Sequence, residues 1–177
     1  NKMPGLEDDK FANLRVAYAF MMGHPGKKLL FMGQDIAQLR EWSEERELDW
    51  YLLEDPRHKG IQNFFRELLH IYRKYPCMYE MDDSWDGFEW INADDTEKSI
   101  FSFLRKGSEG EKRLLFVFNF TPVERSDYRV GVPEKKSYKL ILDSEEERFG
   151  GSGNTAKKKT YQAKKMPWDN REYSIGY

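Results

Sequence analysis

Polar and aromatic side chains of the kind that bind sugars are concentrated between positions 34 and 55. Carboxylates and amides exchange hydrogen bonds with hydroxyl groups, and the face of a tryptophan packs against the apolar side of a pyranose ring. This composition predicts a carbohydrate-binding loop, and the alternative is a charged surface loop with two buried tryptophan anchors. The side chains that could take part are Gln34, Asp35, Gln38, Arg40, Glu41, Trp42, Glu44, Glu45, Asp49 and Trp50.

Other chemistries have weaker support in the sequence. Asp35 with Glu41 or Asp49 could form the carboxylate pair of a glycoside hydrolase, which needs the two groups roughly 5–5.5 Å apart in retaining enzymes. The chain has 31 acidic residues, however, so neighbouring pairs arise by chance. The histidines have no metal-ligand spacing relative to one another or to Cys77, and no glycine-rich phosphate loop is present. We therefore expect no metal and no cofactor.

The elements that must position this loop are two helices and a short apolar run. Apolar residues at helical spacing predict a helix over residues 9–22 and a second helix that starts after Gly60 and ends at Pro76. Between them, residues 29–32 (LLFM) and the following Gly33 are typical of a strand buried on both faces of a parallel sheet. Substrates bind beyond the carboxyl ends of such strands, which is where the 34–55 segment begins.

Beyond Gly87 the hydrophobic period changes to two. This alternation predicts strands at residues 88–90, 100–104, 114–120 and 138–142, with turn signals between them at 106–108 (KGS) and 150–153 (GGSG). Several short strands at close spacing favour a β-sandwich. The predicted fold class is therefore α/β followed by all-β, with a boundary near Pro76 that divides the chain into residues 1–76 and 77–177.

Composition excludes several classes of partner. The 29 basic and 31 acidic residues give a formal charge of −2, which lacks the basic excess of a nucleic-acid-binding protein. The longest apolar stretches are far shorter than the roughly 18 to 20 residues that cross a bilayer, so no membrane association is expected. A single cysteine, Cys77, excludes an internal disulfide and fits a reducing, cytoplasmic location.

Short sequence blocks spread along nearly the whole chain resemble the C-terminal third of the bacterial-type 1,4-α-glucan branching enzymes, a family of the α-amylase superfamily. The blocks occur in the family's order, and so many in register are highly specific. At residues 34–36 the family commonly has Asn-Glu-Phe, whereas this sequence has Gln-Asp-Ile, which keeps the amide and the acid. The blocks are residues 3–5 (MPG), 10–15 (KFANLR), 23–26 (GHPG), 27–38 (KKLLFMGQDIAQ), 40–42 (REW), 48–50 (LDW), 87–91 (GFEWI), 119–123 (NFTPV) and 150–153 (GGSG).

The resemblance implies a specific fold and activity. Residues 1–76 would be the C-terminal end of a catalytic (β/α)8 TIM barrel, with its seventh helix, its eighth strand at 29–32 and its last helix. Residues 77–177 would be an antiparallel β-sandwich that lacks its last strand. The family cleaves α-1,4 glucan and transfers the cut chain to a 6-hydroxyl, which forms an α-1,6 branch. Its three catalytic acids would precede Asn1, because the His-Asp-Glu motif of the last one is absent here. We therefore assign no catalytic residue and expect this fragment to be inactive alone.

The same resemblance assigns the polar segment to the acceptor side of the active cleft. The candidate substrate-binding residues are Gln34, Asp35, Gln38, Glu41, Trp42, Asp49 and Trp50. The expected partner is α-glucan, either glycogen or a malto-oligosaccharide. The β-sandwich is expected to be mainly structural, with a secondary glucan surface at Trp85 or Trp168 and an unpaired edge strand that favours self-association. The alternatives are a non-catalytic glucan-binding or interaction module and part of another α-amylase-superfamily hydrolase.

Overall fold

Two long helices form the first part of the chain. The computed structural model describes residues 2–108, 110, 112–154, 156 and 158–177. Helix α1 spans Glu7–Gly23, with three acidic residues in its first turn, where carboxylates meet the positive end of the helix dipole. This confirms the helix predicted over residues 9–22. None of the helices in the described ranges is long and apolar enough to cross a membrane.

Helix α2 spans Pro56–Lys74 and therefore begins earlier than predicted. The Asp55 carboxylate caps it by accepting a hydrogen bond from the Arg57 backbone nitrogen at 2.8 Å, and Pro56 occupies the first turn, where its missing N–H costs nothing. Gly60 lies inside the helix rather than before it. A Cβ atom there would lie 2.6 Å from the carbonyl carbon of Phe149, so the glycine allows a close approach between α2 and the residues around Phe149.

The strand predicted at residues 29–32 is absent. These residues are irregular, and Leu29, Phe31 and Met32 are 76%, 46% and 38% exposed. The prediction was wrong for this chain because a β-strand needs a neighbour to accept and donate its backbone hydrogen bonds. No strand of the described ranges pairs with this run.

The remainder of the chain forms three small antiparallel sheets. Strands β1 (Phe88–Asp95), β2 (Ile100–Arg105) and β3 (Leu114–Asn119) form one sheet in the order β1-β2-β3. Strands β4 (Arg129–Val132) and β7 (Tyr173–Gly176) pair with each other, as do β5 (Ser137–Lys139) and β6 (Thr160–Gln162). The first three predicted strands are confirmed. The fourth is present only as β5, because residues 140–142 lie outside the ladder, and β4, β6 and β7 were not predicted.

One apolar core joins the three sheets. Ile100 and Leu104 of β2 are 2% and 1% exposed and belong to the same buried cluster as Val130 of β4, Tyr161 of β6 and Ile175 of β7. At about 25 cal/mol per Å² of buried apolar surface, such side chains contribute roughly 1.5–3 kcal/mol each. These contacts between sheets stabilise strands of three or four residues that would not be stable by themselves.

The helices pack against the β1-β2-β3 sheet through aromatic rings. The Phe20 ring of α1 contacts those of Phe118 and Phe120 edge-on, with centroids 5.4 and 5.6 Å apart. Beside it, Arg105 is fully buried and donates hydrogen bonds to the carbonyl oxygens of Gly23 at 2.8 Å and Met78 at 3.0 Å, and to the Asp82 carboxylate. This guanidinium therefore ties the end of α1 and the segment after α2 to the sheet.

A second buried arginine, Arg15, joins α1 to the segment around Gly150. Arg15 is 3% exposed and donates to the Gly150 carbonyl oxygen at 3.1 Å and to Glu145 Oε1 at 2.9 Å. The other oxygen of Glu145 accepts hydrogen bonds from the backbone nitrogen and the hydroxyl of Ser152, each at 3.0 Å. The Phe149 ring meets that of Phe64 edge-on at 5.2 Å. The 150–153 block is thus a structural contact with α1 and α2.

Candidate functional site

The loop of residues 33–55, which connects the apolar run to α2, is anchored to both helices at its start. Gly33 has a φ of +77°, which favours glycine, and a short 3₁₀ turn follows at Gln34–Ile36. Ile36 is fully buried, and its carbonyl oxygen lies 2.8 Å from Nδ1 of the buried His58. The Tyr18 hydroxyl donates to the Gln34 carbonyl oxygen. Burial and the nearby Asp35 carboxylate raise the pKa of Tyr18 above its ordinary value, which further favours the protonated hydroxyl that donates this hydrogen bond.

An internal ion pair closes the middle of the loop. The Arg40 guanidinium pairs with the Asp49 carboxylate, which is 2% exposed. The Gln38 side-chain oxygen accepts a hydrogen bond from the Asp49 backbone nitrogen at 3.1 Å. The Gln38 backbone nitrogen donates to the Gly33 carbonyl oxygen at 3.0 Å. The hydrogen bonds and the ion pair of Gln38 and Asp49 are therefore made within the loop, and they fix its shape.

The two tryptophans of the loop are half exposed rather than buried. Trp42 and Trp50 are each 50% exposed, and the Trp42 ring meets that of Phe31 edge-on with centroids 5.3 Å apart. The buried anchors of the loop are Ile36 and Leu52. The alternative interpretation, in which both tryptophans are buried, is therefore wrong, and both indoles have faces accessible to a ligand.

The remaining candidates lie at or near the surface. Glu41 is exposed and pairs with Lys2 at 2.8 Å, and this ammonium lowers the pKa of Glu41 below its ordinary value. Gln34 is exposed, and its side-chain oxygen accepts a hydrogen bond from the Phe31 backbone nitrogen at 2.9 Å. Asp35 is partly buried. The loop thus presents one amide, carboxylates and two indoles, a set suited to binding a neutral polyhydroxyl compound.

Three residues that position the loop were not predicted for that role. The sequence pattern places Arg40 in the polar segment and Tyr18 within the predicted first helix, and it gives His58 no metal-ligand spacing. Opposite charges at Arg40 and Asp49 are visible in the sequence, but so are many other such pairs in a chain with 34% charged residues. In the described part of the chain, no group of three or more His, Cys, Asp or Glu side chains is arranged to hold a metal ion.

Comparison with known proteins identifies the β region. Residues 90–176 match the family model described as alpha amylase, C-terminal all-beta domain. These residues are similar to that C-terminal domain. Over 176 residues, the chain is 54% identical to the 1,4-alpha-glucan branching enzyme GlgB of Butyrivibrio fibrisolvens. This alignment covers 99% of the chain and 27% of the relative. GlgB of Halothermothrix orenii is 50% identical and that of Aquifex aeolicus 47%, over 99% and 98% of this chain and 28% of each relative.

The chain is a homologue of the C-terminal portion of GlgB branching enzymes. This confirms the resemblance seen in the sequence blocks. The chain spans about a quarter of the length of the relatives it matches. The all-β domain matches the C-terminal type of the α-amylases, with few helices and small sheets, whereas a complete TIM barrel is not contained in these residues.

Proposed function

We propose that this chain is the C-terminal portion of a 1,4-α-glucan branching enzyme. Such an enzyme cleaves an α-1,4 glucan, holds the cut chain and transfers it to a 6-hydroxyl, which forms the α-1,6 branches of glycogen. The observation that carries the proposal is 54% identity to a GlgB branching enzyme over 99% of the chain. The catalytic acids of the reaction lie outside residues 1–177, so these residues alone do not catalyse it.

The proposal divides the chain into two domains. Residues 1–76 are the C-terminal end of the catalytic (β/α)8 barrel, and residues 77–177 are the C-terminal β-sandwich domain. The exposed apolar run supports the first assignment, since Leu29 and Phe31 are 76% and 46% exposed and a neighbouring part of a barrel would cover them. The buried arginines Arg15 and Arg105 support a fixed orientation of the two domains.

Within the intact enzyme, the 33–55 loop forms the acceptor side of the cleft. Trp42 and Trp50 stack on glucose rings of the acceptor chain, and Gln34, Asp35 and Glu41 exchange hydrogen bonds with its hydroxyl groups. Gln38 and Asp49 act indirectly, because their contacts with Gly33 and Arg40 hold the loop in shape. Binding the acceptor in a fixed position favours attack by its 6-hydroxyl over attack by water.

A tryptophan substitution in the intact enzyme tests this role. Trp42→Ala is expected to reduce the rate of branching about tenfold, because losing a stacked ring costs more than about 1 kcal/mol at a binding hot spot. Iodine staining of amylose measures the rate, and circular dichroism checks the fold. Trp85→Ala is the matched control, since Trp85 is 86% exposed and lies outside the loop. Unchanged branching kinetics in Trp42→Ala would remove this residue from the site.

The 177-residue chain itself tests where the catalytic acids lie. We expect calorimetry to detect maltoheptaose binding by this chain and the iodine assay to detect no branching by the same sample. Binding without activity agrees with a glucan surface separated from the catalytic acids. Any branching by these residues alone would refute the proposal that the acids lie elsewhere.

A further inference from the structure

A concave surface lies on the β domain and contains no residue of the 33–55 loop. It is an open groove of about 360 Å³ between the turn that connects β1 to β2 and the turn that precedes β7. The indole of Trp168 forms one wall and is 45% exposed, and Asp94, Lys98 and Tyr128 line the rest. We call it the Trp168 groove. Its volume falls at the lower end of the about 300–1,000 Å³ of small-molecule sites.

The turn that carries Trp168 is held firmly. Trp168 and Arg171 exchange two backbone hydrogen bonds at 3.0 and 2.9 Å, and the residues between them, Asp169 and Asn170, have φ angles of +49° and +57°. These values match the two-residue hairpin turn that suits the twist of paired strands. An exposed indole on such a turn loses little conformational freedom when a ligand packs against it.

The Asp169 carboxylate fixes this turn to both neighbouring sheets. One oxygen accepts a hydrogen bond from the Asn92 side chain of β1 at 2.9 Å, and the other accepts from the Gly131 backbone nitrogen of β4 at 2.8 Å. A Cβ atom at Gly131 would lie 2.3 Å from the Trp168 carbonyl oxygen, so only glycine allows this close approach. The wall and the floor of the groove are therefore parts of one rigid unit.

Polar groups of both charges surround the indole. The Asp95 carboxylate accepts a hydrogen bond from the Tyr128 hydroxyl at 2.8 Å, and the Lys98 ammonium lies 5.5 Å from the centre of the Tyr128 ring. Within the described ranges, the Asp94 carboxylate and the Lys98 ammonium form no ion pair. One acceptor and one donor beside the exposed ring are thus available to a ligand.

We propose that the Trp168 groove binds a short segment of α-1,4-glucan. A pyranose has an apolar face for the indole and hydroxyl groups for Asp94 and Lys98, whereas the carboxylates of the groove disfavour phosphates and nucleic acids. The open groove lets a long chain enter and leave. The choice of α-glucan among carbohydrates rests on the proposed function. A glucan held here raises the local concentration of its other chain ends around the same enzyme molecule.

The groove is tested by titrating maltoheptaose into a 177-residue background chain that carries Trp42→Ala and Trp50→Ala, because these changes remove the two stacking residues proposed for the 33–55 loop. We expect Trp168→Ala to weaken binding about tenfold and Asp94→Asn to weaken it about threefold, as for a central aromatic contact and a peripheral hydrogen bond. The matched controls are Trp85→Ala and Glu97→Gln, an exposed indole and an exposed carboxylate that do not line the groove. Affinity of Trp168→Ala within twofold of the background chain, or an equal loss in Trp85→Ala, would overturn the proposal.

A second measurement does not depend on how the variants fold. Nuclear magnetic resonance of the unaltered chain gives a signal for each backbone amide. Maltoheptaose is expected to change the chemical shift of the Gly131 amide, which donates a hydrogen bond to the Asp169 carboxylate in the groove floor. An unshifted Gly131 amide at saturating maltoheptaose would also overturn the proposal.

The two proposals fail in different ways. If the intact enzyme branches amylose and Trp168→Ala retains full affinity for maltoheptaose, the groove is refuted and the proposed function stands. If the intact enzyme does not branch but Trp168→Ala loses maltoheptaose binding, the proposed function is refuted and the groove stands.

Discussion

Strand β2 and residues 29–32 are both apolar runs, but only β2 lies in a sheet. Phe103 of β2 is opposite Trp90 on one side and Phe116 on the other, and it is fully buried. Phe31 has no strand beside it within the described ranges and is 46% exposed. The comparison shows that an apolar run becomes a strand only where other strands satisfy its backbone groups and cover its side chains.

Two arginine–carboxylate ion pairs also differ in how far they are buried. Arg105 is fully buried at the contact between the helices and the sheet, whereas the side chain of Arg40 in the 33–55 loop is 46% exposed. Both pair with a carboxylate that is at least nine-tenths buried, Asp82 and Asp49 respectively. The β region and its contact with the helices therefore carry the stability of the chain, and the loop is the exposed part that can meet a ligand.

The largest difference is expected between phenylalanines of the two apolar runs. Phe103→Ala leaves a cavity among packed aromatic rings and should lower the free energy of unfolding by about 4 kcal/mol. Phe31→Ala removes a half-exposed ring and should change it by less than about 0.5 kcal/mol. Urea denaturation followed by circular dichroism measures both. Equal losses in the two variants would contradict the distinction between the runs.

The next largest difference in stability is expected between substitutions of Arg105 and Arg40. Arg105→Met leaves the Asp82 carboxylate buried without its partner and should lower the free energy of unfolding by about 3 kcal/mol. Arg40→Met also leaves a buried carboxylate, Asp49, without its partner, but it should cost less, about 2 kcal/mol, because water can enter the space left by the half-exposed guanidinium. The same denaturation experiment checks both variants, and a greater loss for Arg40→Met would reverse the assignment of stability to the β region.

A smaller effect is expected where α2 meets the β region. Gly60→Ala places a methyl group 2.6 Å from the Phe149 carbonyl carbon and should destabilise the chain by about 2 kcal/mol, although alanine is the better helix former by about 1 kcal/mol. Lys59→Ala, at the exposed neighbouring position, is the control and should stay within about 0.5 kcal/mol. If Gly60→Ala stabilised the chain instead, the backbone around Phe149 would have to move away from α2 at little cost in free energy.

The smallest effect concerns pH at the end of the loop. Hydrogen bonds from the Arg57 side chain and backbone lower the pKa of Asp55 to about 2. Because the pKa is lower in the folded chain, this interaction stabilises the chain fully above about pH 4 and is lost as the pH falls from 4 to 2. Relative to Asp55→Asn, which still caps the helix, the unaltered chain should lose about 1 kcal/mol between pH 5 and pH 2, allowing for solvent screening.

Thermal denaturation of both proteins at the two pH values measures this difference. A constant difference across that range would mean that the Asp55 carboxylate does not stabilise the folded chain.

The sequence predicted the elements whose signals are local. The apolar spacing of α1 and the alternation of β1, β2 and β3 were sufficient to find these elements. The three strands that were missed have only three or four residues, and Gly131 and Gly176 interrupt the hydrophobic pattern of β4 and β7. The predicted start of α2 is too late because it relies on Gly60 as a boundary, although Asp55 and Pro56 are the stronger signals.

The candidate site divides in the same way. The sequence indicated which segment is rich in sugar-binding residue types, and it identified Trp42 and Trp50 within that segment. It did not indicate that Asp49 is buried against Arg40 or that His58 contacts the Ile36 carbonyl, because these contacts depend on how the loop folds back on itself and on α2.

By itself, the sequence determined the family resemblance, the helix α1 and the period-two strands, since residue order and hydrophobic spacing are properties of the chain alone. Only the tertiary structure decided that residues 29–32 are irregular, that Arg15 and Arg105 join the helices to the β domain, and that Trp168 stands beside Asp94 and Lys98. The physical reason is that pairing, burial and charge compensation depend on groups far apart in sequence. Their positions become defined only when the elements pack together.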